Sequence, residues 1–69
     1  MKVSARNALP GKVLSVVPGA VNTEVEIEVA PGVAVTAIIT KGSAESLSLA
    51  EGKEVYAVIK ASDVMVAVD

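Results

Sequence analysis

Thr23-Glu24-Val25-Glu26-Ile27-Glu28-Val29, then Ala30-Pro31-Gly32, then Val33-Ala34-Val35-Thr36-Ala37-Ile38-Ile39-Thr40, is the stretch that decides the fold. In its first part apolar and acidic residues alternate strictly. That period of two places Val25, Ile27 and Val29 on one face of a strand and Glu24, Glu26 and Glu28 on the other. Pro31-Gly32 between two apolar runs reads as a hairpin connection. The second run, Val33 to Thr40, has no polar face. The glutamate row suits a wet sheet face better than a metal site, because hard cations draw oxygen ligands from loops of varied geometry.

On the N-terminal side, Pro18-Gly19 punctuates the chain before this hairpin. Lys12-Val13-Leu14-Ser15-Val16-Val17 reads as a first strand, preceded by a turn signal at Pro10-Gly11. Toward the C-terminus, Lys41-Gly42 breaks the strand pattern. Ser43 to Leu49 reads as a short helix with Ser43 as N-cap, Glu45 in the first turn and Leu47 toward the core. Glu51-Gly52-Lys53 is a loop in which Gly52 is free to take a positive φ. Glu54 to Lys60 forms a fourth strand, Ala61-Ser62-Asp63 a turn, and Val64 to Val68 a fifth strand. The expected fold is all-β: a five-stranded OB-fold Greek-key barrel with a short helix between strands 3 and 4, in one domain spanning residues 1–69. An open sheet of four to five strands is the alternative.

Composition narrows the function. Hydrophobic residues make up 52% of the 69, but aromatics only 1%, the single Tyr56. Without cysteine or histidine there are no disulfides and none of the usual zinc, copper or iron ligands. The net charge of −2 argues against non-specific binding to nucleic acid or anionic membrane. No apolar run approaches the roughly 20 residues of a spanning helix. The start of the chain has no long apolar signal-peptide region, so a cytoplasmic location is expected. Three of the five expected strands are apolar on both faces, and a barrel of this size has too little interior for both sets. Such faces exposed would exceed what a soluble monomer normally carries, so a homo-oligomer is expected.

Three short stretches share one chemistry: Ser4-Ala5-Arg6-Asn7, Thr40-Lys41-Gly42-Ser43 and Lys60-Ala61-Ser62. Each lies at a strand end or in a turn. Together they offer hydroxyls, backbone N–H groups beside small residues, and cations, Arg6 being the only arginine. No hydroxyl here has a histidine or cysteine to activate it, and Asp63 alone does not make an acid–base pair. Catalysis is therefore not expected. Donors without acceptors suit a fully deprotonated tetrahedral oxyanion. Such a site disfavours protonated phosphate, which must also donate, while sulfate could be rejected only by size. Ala5, Gly42 and Ala61 allow close approach of backbone.

Ser4-Ala5-Arg6-Asn7 with Leu9 and Gly11-Lys12-Val13 resembles the opening of the molbindin (Mop) family of small molybdate-binding proteins. Ile38-Ile39-Thr40, the Leu49-x-Glu51-Gly52 loop and Val58-Ile59-Lys60-Ala61-Ser62-Asp63-Val64-Met65 are similar too, so the resemblance covers nearly the whole chain. It implies an OB-fold unit assembled as a hexamer, a trimer of dimers. It further implies molybdate, or tungstate in its place, bound at subunit interfaces for molybdenum storage and homeostasis, with no catalytic cofactor. Carried over by motif, the ligands are Ser4, Arg6, Thr40, Ser43 and Lys60. The backbone of Ala61, with Ser62, and the amide of Ala5 complete the set. In this reading the Ser4–Arg6 half and the Lys60–Ser62 half come from different chains. A second class of family site, near symmetry axes, is not placed by any motif here. Lys41 reads as solvated, Asn7 as a structural amide and Tyr56 as an outer-face packing residue.

Two other functions are weighed against this one. A nucleic-acid-binding OB module would need stacking aromatics and a basic groove, and this chain has neither. A ligand-free oligomerisation module would have no use for the intact donor stretches. Neither nucleic acid nor membrane is an expected partner.

Overall fold

The computed structural model describes all 69 residues. Four strands form one antiparallel sheet: β1 (Asn7–Pro18), β2 (Asn22–Ala30), β3 (Val33–Thr40) and β4 (Glu54–Ile59). A short helix α1 (Lys41–Ser46) joins β3 to β4, and one turn of 3-10 helix follows at Ala61–Asp63. The sheet order is β3-β2-β1-β4. Three consecutive strands and a fourth returning beside the first make a Greek key.

The hairpin that anchors the sequence reading forms as expected. β2 and β3 pair from Asn22↔Thr40 to Ala30↔Val33 around Pro31-Gly32. Gly32 has φ 74°, a conformation that costs glycine nothing and side-chain-bearing residues about 1 kcal/mol or more. Thr23, Val25 and Ile27 are buried, with Val29 half-buried, while Glu24 points to solvent. Glu26 and Glu28, expected on the same wet face, are half-buried.

β1 is twice as long as its apolar core suggested. Pro10-Gly11 is not a turn; both residues lie inside the strand. Residues 7–12 pair with β4 and residues 12–18 with β2. At Pro10 the strand therefore has a neighbour on the β4 side only, the edge-like setting in which proline is tolerated. At Gly11 β2 comes so close that an added Cβ would collide with the Glu28 carbonyl oxygen and lie 2.9 Å from Ile27 Cγ2. The pairing with β2 shifts register between Val13 and Ser15. Leu14 is the extra residue of this bulge, which lets Val13 and Val16 both turn inward although they are three positions apart.

The helix starts two residues earlier than expected. Thr40, not Ser43, is its N-cap: the Thr40 hydroxyl accepts the Ser43 N–H at 3.0 Å. Lys41 and Gly42 are its first residues, and Glu45 lies beyond the first turn. Ala44 is the buried residue of the helix; Leu47, its C-cap, is 58% exposed but lines an apolar groove together with Val25, Ile27 and Ala57. Ser48 ends it with φ 53°, and the Lys53 ammonium donates to the Leu47 carbonyl and, at 3.4 Å, to that of Ser48. Gly52 takes the expected positive φ, 83°. Its N–H and the Lys53 carbonyl both bond Val13, tying this loop to β1.

Val64–Val68, expected as a fifth strand, belongs to no ladder within the chain. Met65, Val66 and Val68 are each at least 90% exposed. The sheet has four strands, and its core is small: Val13, Val25, Ile27 and Ala57 form the central cluster. Between β3 and β4 lies a groove of about 440 Å³ walled by Val35, Ala37, Ile39, Val55, Ala57 and Ile59, among others. No helix is long and apolar enough to cross a membrane.

Candidate functional site

The β1–β4 ladder builds the first half of the site. Its last pair is Asn7↔Ile59. Arg6 directly precedes Asn7 and Lys60 directly follows Ile59, so the two cations leave the sheet side by side. Ser4 and Ala5 lie just before Arg6; Ala61 and Ser62 lie just after Lys60. The register thus brings the Ser4–Arg6 and Lys60–Ser62 stretches to the same end of the sheet within one chain. Arg6, Lys60, Ser4, Ala61 and Ser62 are exposed, and Ala5 is half-buried.

Local backbone explains how Lys60–Ser62 presents donors. Lys60 is extended, with φ −61° and ψ 137°, and opens the 3-10 turn. The turn's own bonds run from the Asp63 N–H to the Lys60 carbonyl at 2.9 Å and from the Val64 N–H to that of Ala61 at 3.3 Å. Those bonds leave the Ala61 and Ser62 N–H groups outside them, a local supply of main-chain donors beside the lysine. Ser4, Arg6, Lys60, Ser62 and the small residues Ala5 and Ala61 all lie within three residues of the Asn7↔Ile59 pair, with Asp63 the carboxylate next in the chain.

Thr40 and Ser43 are elsewhere. Thr40 closes β3 opposite Asn22, and that end of the sheet adjoins Pro18 through the Pro18↔Thr23 pair. Arg6 and Thr40 are thus at opposite ends of β1, a strand of 12 residues. At about 3.3 Å per residue that is a path of about 35 Å before curvature. Within one chain two of the three donor stretches adjoin one end of β1, and the third adjoins the other end.

The third stretch has its own hydrogen-bond economy. The Thr40 and Ser43 hydroxyls bond each other at 2.8 Å, and Thr40 also accepts the Ser43 N–H. Two hydroxyls that share one bond leave a single proton for anything else. The spacing Thr40-x-x-Ser43 carried that signal in the sequence, since an N-cap hydroxyl meets the N–H three residues on. Lys41 is exposed, as read. No three His, Cys, Asp or Glu side chains converge as a metal site would need. The groove between β3 and β4 is lined by 13 hydrophobic residues out of 14, so a dianion placed there would lose its hydration without replacement.

With this geometry in view, the relatives decide the lineage. The TOBE domain family matches residues 3–66. Molybdenum-pterin-binding protein 3 of Clostridium pasteurianum is 52% identical over 66 residues, covering 96% of this chain and 97% of that protein. The chain belongs to the TOBE-domain Mop family. The solved structure of MopII from Clostridium pasteurianum in an apo form superposes with a TM-score of 0.90 at 45% identity, covering 97% of this chain and all of that one. The cytoplasmic molybdate-binding protein ModG, solved with molybdate bound, matches with a TM-score of 0.83 at 52% identity. That match covers 88% of this Mop-family chain and 43% of ModG.

Proposed function

We propose that this chain is a single Mop-type unit of residues 1–69 that binds molybdate, and tungstate in its place, at interfaces between copies of a homo-oligomer. The observation that carries the reading is the Asn7↔Ile59 pair, which gathers Ser4-Ala5-Arg6 and Lys60-Ala61-Ser62 into one donor cluster. A tetrahedral dianion at pH 7 asks for donors only. Arg6 offers a planar fork and Lys60 a point charge, with Ser4, Ser62 and the amides of Ala5 and Ala61 around them. The mechanism is reversible binding in which no bond is made or broken.

Thr40 and Ser43 join the site from a second copy, since one chain holds them at the other end of β1. They act together as one donor. Each chain then lends its Arg6 end to one site and its Thr40 end to another. The small core, the apolar groove and the unpaired Val64–Val68 segment support assembly, because each is apolar surface that a second copy would cover. In the assembly that segment supplies the fifth strand of an OB-type barrel, and three dimers make a hexamer. The role is cytoplasmic storage and buffering of molybdenum, without a catalytic cofactor.

The relatives' names pair molybdenum with a pterin. A bare oxyanion is the better ligand for this chain, since the donor cluster has no aromatic ring on which a pterin would stack. Tyr56, the only aromatic residue, pairs with Pro10 in the β1–β4 ladder, away from its Asn7↔Ile59 end.

Isothermal titration with molybdate, tungstate and sulfate in parallel tests the proposal. Molybdate and tungstate should bind with similar affinity, and Arg6→Ala should abolish tight binding of both while the protein stays folded. No heat with either anion, or unchanged affinity in Arg6→Ala, would overturn it.

A further inference from the structure

No further inference is drawn: the strongest candidate, the apolar groove between β3 and β4 beside the unpaired Val64–Val68 segment, belongs to the assembly already proposed, and nothing in the structure points to a different occupant.

Discussion

Thr23 shows how much one side chain can reveal. It is 1% exposed, on the same face of β2 as Val25 and Ile27, and its hydroxyl has no hydrogen-bond partner. Burying an unpaired hydroxyl costs roughly 1–3 kcal/mol. Thr23→Val keeps the branched shape that suits a strand and removes the orphaned group. The variant should be more stable by about 1 kcal/mol in urea denaturation; a loss of stability would mean that the hydroxyl has a partner in solution. The donors of the candidate site behave differently. Arg6 and Lys60 are exposed and support no core packing, so their substitution acts on binding and leaves stability nearly untouched. The residue types of the site could be read from the sequence because donor-only chemistry lies in the side chains themselves. Their grouping could not. Which stretches meet depends on the β1–β4 register, and no local pattern encodes a pairing between residues 7 and 59.

At the scale of elements, β2 and β3 were legible because their period and the Pro31-Gly32 turn agree. The misreadings have specific causes. Pro10-Gly11 looks like a turn because proline and glycine punctuate loops. Here proline has a strand neighbour on one side only, and glycine admits the backbone of β2. The helix boundary slipped because Thr40 does two jobs, ending β3 and capping α1, while Ser43 has the same capping chemistry three residues later. Gly11 makes the strand-crossing argument testable. Gly11→Ala forces β2 away from β1 and should destabilise the fold by about 1–3 kcal/mol in chemical denaturation, as overpacking does. A variant as stable as the parent would mean that the approach of β2 is looser than the register implies.

For the whole molecule, the controlling fact is that one chain cannot cover its own apolar surface. Ile38, Tyr56 and Val58 are exposed on the sheet, and Met65, Val66 and Val68 lie wholly in the open. The need for a partner was legible from strands that are apolar on both faces. The missing fifth ladder was not, because apolar composition suits a strand without specifying any hydrogen-bonding neighbour. Sedimentation at micromolar concentration should find an oligomer. Val66→Asp, which places a charge in the unpaired apolar segment, should shift the protein toward monomer; a parent protein that is monomeric would refute the proposed assembly.

The claim that the oxyanion is held by the Arg6–Lys60 end of one copy and the Thr40–Ser43 end of another has one direct test. Arg6→Ala and Ser43→Ala chains, each impaired in molybdate binding as a homo-oligomer, are unfolded together, refolded as mixed oligomers and titrated with molybdate. The account predicts that tight binding returns at a fraction of the sites, since pairing the two variants gathers both lesions in one site and leaves its mate intact. If both donor sets of a site came from the same chain, every site would keep one lesion, and mixing would restore no tight binding at all.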